Sequence, residues 1–298
     1  LILTEQKTLA KNILLRQLST LQKDGRIPNI FPASKISSAD GIGWMIKRFS
    51  ELKISKKSLE YKKIKQAINL LLKQHTKNGL TINSQQETWM DTKHTPRSGF
   101  RIEIQALRLS AYNFLFKLTN EKKYQKLESE LKAKVKQKFW NHPILADGFN
   151  HHPDFTIRPN IFLAYYLYPK LLEQEEWKLC FNYALRKLWL NWGGISTINI
   201  HHQLFKETYS GENPESYHNG DSWYFINNIT AISLHRLDKK LYKKYINKIL
   251  ESSTEDILYN GFIGHASELS SAKKFSSEAS LSQAWSAATY IELVHELF

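Results

Sequence analysis

Hydrophobic and polar positions along the chain follow a helical period almost throughout, and they come in two kinds of segment that take turns. "ADGIGWMI", "IEIQALRLSAYNFLF", "NIFLAYYLY", "SWYFINNITAISL" and "LSQAWSAATYIELV" carry little charge and are apolar nearly all round. "LEYKKIKQAINLLLKQ" and "KLYKKYINKILESS" place Lys and Glu along one side only. A helix apolar on every side has to be covered, whereas a striped one can face water, so the alternation predicts an inner and an outer layer. Ten helices are expected, at 4–24, 38–52, 56–78, 102–119, 121–140, 158–169, 173–190, 221–236, 238–259 and 280–297. Strand signals are nearly absent, and no Gly-rich phosphate loop or βαβ alternation occurs.

The inner helices begin about every 60 residues, the spacing of repeated supersecondary units. Five helical hairpins of this kind make up most of an (α/α)6 toroid. The expected architecture is therefore an all-α toroid forming one domain over 1–298, one pair short at its N-terminal side. Long polar connections lead into the inner helices: "FPASKISSADGIGW", "SQQETWMDTKHTPRSGF", "HHPDFTIRPN", "GENPESYHNGDSW" and "GHASELSSAKKFSSEASLSQAW". In a toroid all of them emerge on one rim, where loops on a rigid scaffold carry function.

Composition narrows the function classes. The 298 residues are 42% hydrophobic and 12% aromatic, enough for a sizeable core. The net charge of +14 raises a nucleic-acid partner, but the lysines sit on the polar sides of striped helices, so no nucleic-acid partner is expected. No apolar run is long enough to span a bilayer and no signal-peptide cleavage pattern occurs, which predicts a cytoplasmic protein with no membrane partner. The lone Cys180, on an apolar helical face, is read as a core residue. Paired histidines in "NHHPD" and "NIHHQ" lack a second cluster at ligand spacing, so no metal and no other cofactor is expected. Gly-x-Ser-x-Gly is missing, which argues against a Ser nucleophile.

The rim segments hold Trp44, Trp89, Trp223, Trp285, Tyr217 and His218, whose flat faces and polar tips suit sugar rings. They also hold Asp40, Asp91, Asp154, Asp221 and Glu268, with Glu103 just inside a helix. Glycosidic hydrolysis needs two carboxyl groups, one protonated to assist the leaving oxygen and one ionised to activate water or attack. The apolar neighbours of Asp91 favour its use as the acid. Plainer roles stand beside these. Each Trp can be core, Asp40 and Asp221 can cap helix N-termini, and Arg97 and Arg158 can brace the rim.

In chain order "GRIPN", "SADGIGW", "ETWMD", "TPRSGFRIEIQAL", "TIRPN", "GGISTI", "YHNGDSW" and "SQAWSAA" resemble the C-terminal amylo-α-1,6-glucosidase domain of archaeal and bacterial glycogen debranching enzymes. The resemblance runs from about residue 10 to the end of the chain. It implies a glucoamylase-like toroid and inverting release of glucose from α-1,6 branch points of glycogen or limit dextrin. It makes Asp91 the general acid and Glu268 the general base, with Asp221 as the alternative base because "LSSAKKFSSEASLS" departs from the usual Gly- and Pro-rich pattern. Trp44, Trp89, Arg97, Glu103, Arg158, His218, Trp223 and Trp285 become substrate-binding or site-shaping residues. Inversion implies carboxyl groups about 6.5 to 9.5 Å apart. The resemblance also implies an aromatic Trp-x-Arg-Asp hairpin and a β-rich domain upstream. Their absence from this sequence leads to the expectation of a separate partner chain that carries them. Other readings that keep the toroid are an α-1,4-glucosidase, a trehalase-like hydrolase or a glucan-binding subunit without turnover.

Overall fold

The computed structural model describes residues 1–30, 37–209, 211 and 215–298. The first residues of "FPASKISSADGIGW" and part of "GENPESYHNGDSW" lie outside the described residues. Ten α-helices occur among the described residues: α1 (Lys7–Leu18), α2 (Gly41–Glu51), α3 (Leu59–Gln74), α4 (Ile102–Thr119), α5 (Lys122–Phe139), α6 (Asn160–Leu167), α7 (Gln174–Leu188), α8 (Tyr224–Asp238), α9 (Lys243–Tyr259) and α10 (Ala284–Leu297). Local chemistry fixes several ends. The Ser58 hydroxyl accepts the Tyr61 N–H at the start of α3, and Glu173 and Glu176 form a reciprocal capping box on α7. Asn120 ends α4 in the left-handed conformation, φ 59°.

The chain divides into two compact units. One comprises Leu1–Phe139 with Gly148–Pro153, the other Trp140–Asp147 with Asp154–Phe298. In the first, α4 is the central element and packs against α2 and α5, while α1 lies on α2 and α3. Gly43 lets α2 approach α4 closely, since a Cβ there would stand 2.8 Å from the Leu107 Cβ. In the second unit, α8 is central and packs against α6, α9 and α10. Its core is aromatic: Phe181 lies 4.8 Å from Phe162 and 5.3 Å from Tyr165, ring centre to ring centre.

Burial separates the two kinds of helix with one exception. Every residue of α6 is buried, as are most of α4 and α8, whereas α5 buries only Tyr124, Leu131, Val135 and Phe139. The exception is α10, expected to be covered on most sides. Only its Ser286 and Leu293 are buried, and Trp285 and Ile291 are exposed. Cys180 is buried on α7, where desolvation pushes its thiol up to about 12, so it acts as a small hydrophobe.

Several helices start later than their apolar patterns suggest, among them α2 at 41, α8 at 224 and α10 at 284 in place of 38, 221 and 280. Short antiparallel pairs lie ahead of α2 and α8. Ser37–Ser38 pairs with Ile27–Pro28, and Ser222–Trp223 pairs with Leu269–Ser270, both antiparallel. Two-residue ladders are too short to leave a period-two signal, and the pair at Ser222–Trp223 starts α8 beyond Asp221. Asp40 is at the N-cap position of α2 but makes no capping bond, because the Ser38 hydroxyl accepts the Gly41 N–H. Asp221 precedes the α8 N-cap residue Trp223 by two positions. Neither acid is a cap.

Candidate active site

In the first unit the segment carrying Asp91 is pinned at both ends. Asn83 and Gly99 exchange backbone hydrogen bonds of 2.9 Å, and the Ala39 N–H donates to the Glu87 carbonyl at 2.7 Å. Buried Arg26 pairs with Glu87 at 2.8 Å. Trp89 and Met90 are buried, so they anchor the turn and leave Asp91 half-buried beside them. Arg97 is buried and donates to both oxygens of buried Glu103, at 2.7 and 3.1 Å, and to the Thr88 hydroxyl at 3.1 Å. This bidentate clamp ties the Asp91 segment to the first turn of α4. Arg97 and Glu103, expected to shape the site or bind substrate, are thus directed at one another.

Asp40, left in the sequence as a helix cap, belongs to the same neighbourhood. Burial raises its carboxyl to about 6, helped by the charges of Glu103 and Asp91 and opposed by a short hydrogen bond from Ser38. Half-buried Trp44 lies one turn further along α2. The first unit therefore gathers three carboxyl groups, Asp40, Asp91 and Glu103, beside Trp44 and Trp89. Burial first, and the neighbouring charges of Glu103 and Asp91 after it, make Asp40 the acid of this group that holds its proton to higher pH than a free carboxyl.

In the second unit Arg158 is buried and donates to the Thr197 carbonyl (3.0 Å), the His218 carbonyl (2.6 Å) and Asn219 Oδ1 (3.0 Å). It braces the "YHN" turn through carbonyl and amide oxygens. His218 is buried and stacks on Trp223, ring centres 5.1 Å apart and 16° between planes. Trp223 in turn donates its indole N–H to the Tyr217 carbonyl at 2.7 Å. Phe225 bridges Trp223, at 5.9 Å, and Trp285, at 5.1 Å. Trp285 is 48% exposed, an aromatic face open to a ligand, whereas Trp223 and Trp89 are buried. Asp154 accepts the Thr156 N–H within its own turn.

Glu268 is half-buried and held from three directions. Its Oε1 accepts the Tyr217 hydroxyl at 2.6 Å and the Gln283 amide at 3.4 Å, and its Oε2 accepts the Ser280 N–H at 3.1 Å. Backbone bonds from Glu268 N to the Ser280 carbonyl and from Tyr224 N to the Glu268 carbonyl fix the main chain as well. Gln283, the cap of α10, was not expected at the site. Its position directly ahead of the "AWSAA" helix was the available signal.

Asp221, the alternative base, is situated differently. It has no exposed surface. Its Oδ2 accepts the Ser216 hydroxyl at 2.7 Å, and its Oδ1 is buried without a hydrogen-bond partner among the described residues. Burial lifts this carboxyl to about 7, with a contribution from Glu278 and against the Ser216 bond. Because the folded value is above the ordinary 3.8, Asp221 favours the folded state fully below about 4, and that contribution is lost as pH rises through about 7. Denaturant titrations of the wild type and Asp221→Asn should thus diverge between pH 4 and 8. The variant gains relative stability with rising pH by an amount on the order of a few kcal/mol, and the difference is flat below pH 4. A difference independent of pH would show that Asp221 ionises freely in the folded protein.

Among the described residues no three His, Cys, Asp or Glu side chains gather to hold a metal ion, and no helix is long and apolar enough to cross a membrane.

The fold is shared with solved structures of low sequence identity. The chain is similar to an uncharacterized conserved protein from Thermus thermophilus, with 11% identity over 97% of this chain and 88% of that one and a TM-score of 0.71. It is similar to a GH63 mannosylglycerate hydrolase from the same organism in complex with glucose, with 12% identity, 94% and 86% coverage and a TM-score of 0.66. A third structure, described as "Glycosidase Wild Type", gives 10% identity, 87% and 67% coverage and a TM-score of 0.61. At these identities the likeness establishes the fold, all-α and of the (α/α) toroid class. No curated protein is similar enough to match the chain. Together with a family model matched along nearly the whole chain, these findings make the protein a glycoside hydrolase. It belongs to the amylo-alpha-1,6-glucosidase family, whose model matches residues 1–292.

Proposed function

We propose that the protein hydrolyses the α-1,6-linked glucose at branch points of glycogen or limit dextrin and inverts the anomeric carbon, with Asp91 as general acid and Glu268 as general base. The observation that carries the activity is the family match over residues 1–292. Support for the base comes from the contrast between Glu268, partly open and held by Tyr217, Ser280 and Gln283, and Asp221, enclosed and raised to about 7. Asp91 as the acid draws support from its half-buried place beside buried Trp89 and Met90. In this reading Asp91 protonates the departing glycosidic oxygen while Glu268 takes a proton from the attacking water, so the C1–O bond breaks as a new one forms on the other face of the ring. Trp285 supplies a stacking face for glucose.

Incubation with limit dextrin, panose, maltose and trehalose, followed by quantification of free glucose, tests the linkage. Glucose from limit dextrin and panose but not from maltose or trehalose is expected. Release from maltose or trehalose alone would reassign the linkage while leaving the carboxyl roles in place. A mannosylglycerate substrate is the second reading, suggested by the similar GH63 hydrolase, and the same assay with that compound decides it.

A further inference from the structure

The buried face of α9 contains a carboxyl group that the reaction does not use. Asp256 is 1% exposed and shares its stripe with buried Ile246, Ile249 and Ser253, a place where an apolar side chain is the ordinary occupant. Burying a carboxyl there is unfavourable unless its oxygens are satisfied. Both are. Oδ2 accepts the backbone N–H of Ser267 at 2.8 Å, and Oδ1 accepts the hydroxyl of Ser277 at 2.5 Å. Ser267 immediately precedes Glu268, and Ser277 immediately precedes Glu278, whose N–H donates to the Leu269 carbonyl at 3.0 Å. One side chain thus fastens both arms of the loop that presents Glu268.

The surroundings leave the loop little room to relax. Gly261 has φ 53°, and a Cβ there would stand 2.8 Å from the Ser267 hydroxyl oxygen and 2.9 Å from the Ser277 Cβ. Tyr224 donates its hydroxyl to the Ser276 carbonyl at 3.1 Å on the same loop. Among the described residues the Glu268 carboxyl itself is bonded by Tyr217, Ser280 and Gln283, all of them loop or helix-cap residues. Tyr224 ties the loop backbone to the start of α8, and Asp256 ties both of its arms to the interior of α9. We propose that Asp256 is a positioning residue for Glu268: it touches no substrate, and it sets where the Glu268 carboxylate stands by holding Ser267 and Ser277. The inference rests on the reading of Glu268 as general base.

The test uses the full chain as wild type, Asp256→Ala, Asp256→Asn, Ser277→Ala and Glu268→Gln, with kcat, KM and the pH profile of kcat/KM measured on panose at a temperature where each variant is folded by near-UV circular dichroism. A misplacement of about 1 Å costs on the order of 100-fold, so Asp256→Ala should lower kcat by about 10- to 100-fold with KM little changed and the acidic limb of the pH profile displaced. Asn keeps an acceptor for the Ser267 N–H and offers a donor to Ser277, so it should restore most of kcat. Ser277→Ala, which removes one tie only, should fall between them, and it carries the test if the Ala variant does not fold. Wild-type kcat and pH profile in the folded Ala or Ser277 variant, with Glu268→Gln inactive, would overturn the positioning role alone. Undiminished turnover by Glu268→Gln would remove the base assignment and this inference with it.

Discussion

Replacing Asp91 by Asn is expected to reduce glucose release from panose or limit dextrin by about 10²- to 10⁴-fold, the range that general acid catalysis contributes. Asn is nearly isosteric and leaves the buried anchors Trp89 and Met90 and the Arg97–Glu103 clamp in place, so the melting temperature should change little. The loss should depend on the leaving group. α-Glucosyl fluoride expels fluoride without needing a proton, so the variant should hydrolyse it at close to the wild-type rate. Equal losses on fluoride and on panose would mean that Asp91 binds or orients substrate and does not donate the proton.

The second large effect belongs to Glu268. Its replacement by Ala removes the group that takes the proton from water, and kcat should fall by at least the same order, about 10² to 10⁴. Azide needs no deprotonation to act as a nucleophile and fits the space the side chain vacates. In the Glu268→Ala variant azide should restore turnover by attacking C1 as the C1–O bond breaks and Asp91 protonates the leaving oxygen, with β-glucosyl azide as the product. Rescue that gives the α-azide would point to a retaining enzyme. The same experiment on Asp221→Ala should show no azide effect, because that carboxyl is closed off by Ser216 and the surrounding core.

Much of the fold is legible in the hydrophobic pattern because the helices are long and strongly periodic. All ten elements appear close to their expected places, and the later starts of α2 and α8 follow short extended pairs. Extended pairs such as Ser222–Trp223 with Leu269–Ser270 depend on partners nearly fifty residues away, which no local pattern reports. The same pairing leaves Asp221 ahead of the α8 cap, whereas Asp40 reaches the cap position of α2 and Ser38 takes the capping bond. Apolar composition also misjudged α10, since a pattern records which side chains tolerate burial and not whether a neighbour covers them.

The site is legible in residue identity more than in arrangement. Asp91 and Glu268 stand in segments whose aromatic and polar composition marks them for chemistry, but the partners of Glu268 come from Tyr217 and Gln283, on other parts of the chain. Arg97 and Glu103 sit six residues apart, too far for a helix pairing rule and close enough to clamp across a turn. Asp256 went unnoticed because "ESSTEDILY" reads as a solvated helix face. The available signal was its phase, seven residues after Ile249 on the apolar stripe of α9.

The measurement that reaches the central claim most directly is the anomeric configuration of the first glucose released from an α-1,6 branch, followed by proton NMR before mutarotation obscures it. An enzyme in which Asp91 protonates the leaving oxygen and Glu268 activates water releases β-glucose first, with the α-anomer rising only afterwards. Initial appearance of α-glucose would contradict the account.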